Sequence, residues 1–340
     1  MGQQIGSRLF DTLGPLVLRP EDGEVILEPE RAGRGYWVGA PGILYDPPER
    51  CWWLTYRRRR PRGENPDGLG DRGYLARVAR SADGLRFEDV WEVSQRAWST
   101  PSMERFSLVR DDVYRLYVSY VDPADNRWRI DLLEAAHPSQ FDASALQRVL
   151  TADDVQGPSG ERVEGVKDPW VFRVGATWHM LVSYAAGRAG GTGEHARLHE
   201  TADVYTTGLI TAPTGLATSG DGRRWEWQGR VLDPGPPNAW DRYQARLSSL
   251  VPLAGCWIGL YDGSASEQEN YEERCGLAVS PDLRHWARLT PDHPAIVAPH
   301  GTGSIRYVEA VLQGGAVHCY YEYARPDGAH DLRRLVLHAT

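Results

Sequence analysis

Lysine is nearly absent from this 340-residue chain: of 38 basic residues, all but Lys167 are arginine. Arginine and lysine exchange freely on a solvated surface, but a planar guanidinium cannot replace a compact ammonium in a tight polar pocket. The one exception therefore marks Val166-Lys167-Asp168-Pro169-Trp170 as a place to look for chemistry. Cysteine is also scarce. Cys51, Cys256, Cys275 and Cys319 are too far apart for a metal signature or a dense disulfide framework. No apolar run reaches the roughly 18 residues of a membrane-spanning helix. The first residues, Met1 to Ser7, lack the apolar segment of a secretory signal. Positive charge is in deficit, at a net −8, which argues against a nucleic-acid partner. Together these features give the expectation of a cytoplasmic protein with buried thiols and no membrane partner.

Aromatic residues are plentiful but skewed, with 13 Trp and 16 Tyr against 5 Phe. Indole and phenol rings carry a polar handle and suit half-wet clefts as well as cores. Five segments share one grammar, an apolar strand, a short turn and an aromatic-rich strand. They span 41–58, 103–121, 167–185, 245–263 and 304–324. Each reads as a β-hairpin. A second phrase recurs downstream: Ser81-Ala82-Asp83-Gly84, Ser219-Gly220-Asp221-Gly222 and Ser280-Pro281-Asp282-Leu283, each followed by an aromatic (Phe87, Trp225, Trp286). It reads as a side-chain-capped tight turn whose aromatic packs on a neighbouring unit.

Two hairpins make a four-stranded antiparallel blade. The sequence predicts an all-β chain, a single five-bladed β-propeller over 1–340, with blades starting near 41, 103, 167, 245 and 304. The fifth blade runs out of chain, so a strand within 14–27 is expected to complete it and close the ring.

In such a ring the starts of the first strands and the ends of the second strands reach the same face. Those positions offer Glu104 and Arg105, Lys167 and Asp168, Arg246, and Arg306 with Tyr307. They also offer Arg57 and Arg58, Tyr184, Asp262 and Glu322. Charges buried without partners would cost several kcal/mol each, so these groups must form a network or line a wet pocket. Convergence of the cations on one anionic group and neutralisation of the carboxylates in place are both open.

The hairpins, the Ser-x-Asp-Gly phrase and Lys167-Asp168-Pro169-Trp170 resemble the five-bladed propeller glycosidases of glycoside hydrolase family 43. Leu54-Thr55-Tyr56-Arg57 and the Lys167-Asp168 pair also resemble the family 130 mannoside phosphorylases. The resemblance implies a carbohydrate substrate, no cofactor and no metal. It implies carboxylate acid/base catalysis by Glu104, Asp168, Asp262 and Glu322. In this reading Glu104 is the proton donor, Asp168 tunes it or activates water, and Lys167 and Arg105 hold the network. Arg57, Arg58, Arg246, Arg306, Tyr307 and Tyr184 contact substrate.

The chain departs from family 43 at two places. Ala40 stands where the family's blade-one Asp is expected, and Gln244-Ala245-Arg246 where its blade-four Glu is expected. Hydrolysis of a glycosidic bond leads. Phosphorolysis, or sugar binding without chemistry, is the alternative. Ala186–Thr206 reads as a loop over the pocket face. His195 and His199, four apart, lack the glutamate spacing of a zinc site.

Overall fold

The computed structural model describes residues 19–64, 71–187, 198–253 and 255–338. The chain is all-β, with four-stranded antiparallel sheets that resemble propeller blades. β1 (Glu24–Leu27) comes first but belongs to the last unit. The first unit holds β2 (Trp37–Asp46), β3 (Cys51–Arg59), β4 (Leu75–Ser81) and β5 (Glu88–Ser94). The second holds β6 (Ser107–Arg110), β7 (Tyr114–Val121), β8 (Trp128–Ala135) and β9 (Gln147–Leu150). In the third are β10 (Val163–Val174), β11 (Thr177–Gly187), a short β12 (Ile210–Thr211), β13 (Thr214–Ser219) and β14 (Glu226–Leu232). The fourth has β15 (Gln244–Leu253), β16 (Cys256–Ser264), β17 (Arg274–Ser280) and β18 (Ala287–Arg288). The fifth has β19 (Ile305–Gln313), β20 (Ala316–Ala324) and β21 (His330–His338). β1 pairs antiparallel with β21, Glu24 opposite Arg334 and Leu27 opposite Leu332.

The innermost strands pack side by side. β2 lies against β6, β6 against β10, β15 against β19, and β19 against β2, while β15 meets the third unit through β11. Each of β2, β10, β15 and β19 carries a register shift near its start. Ala40, Asp168 and Tyr307 occupy equivalent places in three of them, each with φ between 51° and 57°. These bulges re-aim side chains at the start of the strand while the later residues keep the alternation of a buried sheet.

The recurring turns form as their residues dictate. Ser81 Oγ accepts from the Asp83 and Gly84 amides, and Asp83 Oδ1 accepts from those of Leu85 and Arg86. The same pattern recurs at Ser219-Asp221 and Ser280-Asp282. The turns also tie neighbouring units together. The Tyr320 hydroxyl donates to Gly84 O, and that of Tyr117 to Gly222 O. Phe87 meets Tyr320 edge-on, and Trp225 meets Tyr117 in the same way. All four cysteines are free thiols. No helix of the described residues is long and apolar enough to cross a membrane.

Candidate functional site

At the start of the inner strands, four of the five units contribute charge to one buried network and the first adds Arg57 from the end of its second strand. Arg57 Nε donates to Glu104 Oε1 at 2.7 Å, and its Nη2 lies 3.6 Å from Glu322 Oε2. Arg306 touches three carboxylates: Glu273 at 3.1 Å, Glu104 at 3.6 Å and Glu322 at 3.7 Å. Arg246 is the second hub. It donates to Asp168 and to Asp262, each at 2.7 Å, and lies 3.7 Å from Glu273. Its guanidinium stacks on the Tyr307 ring, 3.9 Å from the centroid. Glu104, Asp168, Asp262 and Glu322 are all buried, as are Arg57, Lys167, Arg246 and Arg306.

The backbone at the bulges takes part. Tyr307 N donates to both oxygens of Asp262, and the Tyr307 hydroxyl lies 3.4 Å from Asp168. Ala40 N donates to Glu322 Oε2 at 3.1 Å. Gly39 is required here, because a β-carbon on it would fall inside the Glu322 carboxylate. Glu322 of the fifth unit thus packs against the Gly39-Ala40 backbone of the first.

Lys167 is buried between two aromatic rings and a carboxylate. Its ammonium lies over the rings of Tyr205, at 4.4 Å, and Trp128, at 5.2 Å, and is 3.5 Å from Asp168. Two aromatic faces and one carboxylate make a cage for a compact cation. Tyr205 comes from the 186–206 segment, whose described part packs over this end: Arg72 donates to Ala202 O at 2.7 Å and pairs with Asp203. His195 lies outside the described residues. His199 Nε2 bonds Glu164 at 2.9 Å, and among the described residues no cluster of His, Cys, Asp and Glu could hold a metal.

Charge states follow from this geometry. Burial alone would raise the Glu104 carboxyl, but Arg57, Lys167 and Arg306 hold it well below the usual carboxylate range. Burial likewise opposes Glu322, yet Arg306, Arg57 and His330 bring it to about 2. Asp262 moves the other way, raised by burial against Arg246. Glu104 is therefore ionised, and its three cations oppose the uptake of a proton. The donor role expected for it would require a ligand that draws Arg57 away.

Three expected contacts fall elsewhere. Arg58 faces outward, donating to Glu28 O, because successive residues of β3 point to opposite faces. Tyr184 is core, edge-on to Trp227 in the packing of the second and third units. Arg105 leaves the network by its side chain: it donates to Ser248 O and pairs with Glu309, further along the inner strands, while its amide lies 3.4 Å from Asp168 Oδ1.

Several neighbours in the network lay outside the strand-start and strand-end rule. Glu272 and Glu273 precede a third strand. His330, the first residue of β21, is buried, stacked on Trp37 at 4.2 Å, and bonded to Glu322 at 2.8 Å. Arg59 belongs to the Arg57–Arg60 run, and two-residue alternation from Arg57 is the signal that would have found it.

No known family profile and no curated protein sequence matches this chain. Solved structures do. A β-1,2-mannobiose phosphorylase from Listeria innocua, in complex with β-1,2-mannobiose, aligns with a TM-score of 0.59 at 14% identity over 96% of this chain and 95% of that one. A thermostable family-43 glycoside hydrolase gives 0.59 at 13% over 88% of each. A GH43_1 enzyme from Xanthomonas citri, complexed with xylotriose, gives 0.58 at 12% over 92% and 90%. The fold is that of carbohydrate-active enzymes. It is shared with family 43 glycosidases and with the mannobiose phosphorylase, at distant sequence identity.

Proposed function

We propose that the five units close into a five-bladed ring, with β1 completing the last blade, and that the chain hydrolyses a glycosidic bond at the charged end of that ring. The observation that carries this reading is the convergence of Glu104, Asp168, Asp262, Glu273 and Glu322 with Arg57, Lys167, Arg246 and Arg306 at the start of the inner strands. A ring of sugar hydroxyls needs donors and acceptors side by side, and this end supplies both.

In this reading a sugar that draws Arg57 away leaves Glu104 protonated, to donate to the departing glycosidic oxygen as its bond to the anomeric carbon breaks, while Asp168 takes the proton from the water that forms the new bond. Lys167, Arg246 and Tyr307 fix Asp168, and Glu322 fixes Arg57. Inverting hydrolysis by a carboxylate pair leaves room for water when the two are about 6.5–9.5 Å apart. Glu104 and Glu322 are not such a pair: one nitrogen, Arg57 Nη2, touches both, at 2.6 and 3.6 Å, and fills the space between them.

The test is release of aglycone from a panel of aryl glycosides, with and without inorganic phosphate. Turnover independent of phosphate, lost in Glu104→Gln by about 10²–10⁴-fold, is the expected result. An unimpaired Glu104→Gln enzyme would remove Glu104 from the chemistry, and strict phosphate dependence would make the reaction phosphorolysis. Ala40 and Gln244, at two places where family 43 has carboxylates, favour a second reading, sugar binding without turnover. Saturable binding of a glycoside that the wild-type protein never cleaves would establish it.

A further inference from the structure

Arg59 is the exception in the charged end. Arg57, Arg72, Lys167, Arg246 and Arg306 each have a carboxylate within 4 Å. Arg59 makes no ion pair among the described residues, although it is 8% exposed. Its guanidinium is clamped between two rings, 4.3 Å from the centroid of Trp37 and 4.1 Å from that of Tyr271. Nε and one terminal nitrogen are buried with no hydrogen-bond acceptor. Buried guanidinium groups are ordinarily paired, because the desolvated charge is otherwise uncompensated.

Its position explains what it is aimed at. Arg57 and Arg59 lie on the same face of β3, and Arg59 is two residues further toward the strand's end. Arg306 approaches the same two rings, 5.9 Å from each. Unused donor capacity accumulates at this point. Arg57 Nη1 has no acceptor, and the three guanidinium nitrogens of Arg306 make ion-pair contacts without an aligned hydrogen bond. Burial and the neighbouring Arg57 and Arg72 bring Arg59 down to about 10, so an added negative charge there is favoured.

We infer that Arg59, with the spare donors of Arg57 and Arg306, is the subsite for a carboxylate carried by the sugar, and that the ligand is a uronic acid or its glycoside. The guanidinium fork offers two parallel N–H groups, which match a carboxylate better than a single hydroxyl. Trp37 and Tyr271 hold that fork in place, so little side-chain freedom is lost on binding. This inference rests on the charged end being the sugar site, as proposed above, but not on any bond being cleaved there.

The experiment is equilibrium binding by calorimetry or ligand-observed NMR. Glucuronate and galacturonate are compared with glucose, galactose and inorganic phosphate, on the wild-type protein, Arg59→Met and Arg59→Lys. The expected result is that one uronate binds at least tenfold more tightly than its neutral counterpart. Arg59→Met should abolish that preference, Arg59→Lys should keep part of it, and added salt should weaken it. Equal binding of acidic and neutral sugars would overturn the inference, as would phosphate binding without uronate binding or an Arg59→Met protein with the wild-type preference. The wild-type comparison decides the matter even where a variant does not fold. Uronate binding without turnover would leave the subsite standing and remove the hydrolase reading. Turnover of neutral glycosides alone would do the reverse.

Discussion

The two ends of the inner strands differ in chemistry. At their start the strands present Glu104, Lys167, Asp168, Arg246 and Arg306, tied to Arg57, Asp262 and Glu322. Toward their other end the same strands line a cavity of about 420 Å³ whose walls include Ile43, Leu44, Leu108, Val109, Phe172 and Val311. One backbone architecture thus carries a charged end and an apolar end. The register shifts lie between them: Lys167, Arg246 and Arg306 stand before or at the bulges of β10, β15 and β19. One ion pair joins the two. Arg105 starts beside Glu104 and reaches Glu309, whose other oxygen accepts Trp170 Nε1 at 2.7 Å. The difference teaches that stability and recognition are held by different chemistry in the same strands, and each can be attacked alone.

The harshest break is at the charged end. Arg246→Met leaves Asp262 buried without its cation and Asp168 with Lys167 alone, and removal of one partner from a buried network costs about 3–5 kcal/mol. Denaturant unfolding should show that loss, and sugar binding should go with it. At the apolar end, Leu108→Ala should cost about 2–4 kcal/mol by opening a void beside Phe106 and Leu116. Sugar affinity of the folded Leu108→Ala protein should be unchanged. A parallel loss of binding would mean that the two ends are not separable.

A gentler probe is pH. Glu322 lies near 2 in the fold against 4.5 when unperturbed, so its contribution is complete above the ordinary value and is lost as pH falls toward 2. His330 has the opposite sign. Burial would lower it, but Glu272 and Glu322 raise it above 6.5, so its contribution is complete below 6.5 and is lost as pH rises through its raised value. Stability should therefore fall on both sides of a mildly acidic optimum. Each group contributes at most about 1.4 kcal/mol per pH unit. Glu322→Gln should flatten the acid limb, and an unchanged limb would place the acid sensitivity elsewhere.

Much of this was legible in the sequence. The hairpin grammar and the Ser-x-Asp turns located the units because strand alternation and turn chemistry are local. The rule that strand starts and strand ends share a face named Glu104, Asp168, Asp262 and Glu322, and the four share one ion network. It failed at Arg58 and Tyr184, where a shift of one residue turns a side chain to the other face of the sheet. It also missed Glu273 and His330, which reach the network from just before β17 and from the start of β21. Their proximity depends on how units pack, which no local pattern encodes. Lys167 was found by its rarity, and its cage of Trp128 and Tyr205 supplies the reason that rarity had meaning.

The most direct test of the central claim is a crystal structure of the protein soaked with a glycoside or uronate. Ligand density among Glu104, Lys167, Arg306 and Arg59 is the expected result. Density in the cavity beside Ile43 and Phe172, with the charged end unoccupied, would contradict the assignment of sugar recognition to the buried ion network.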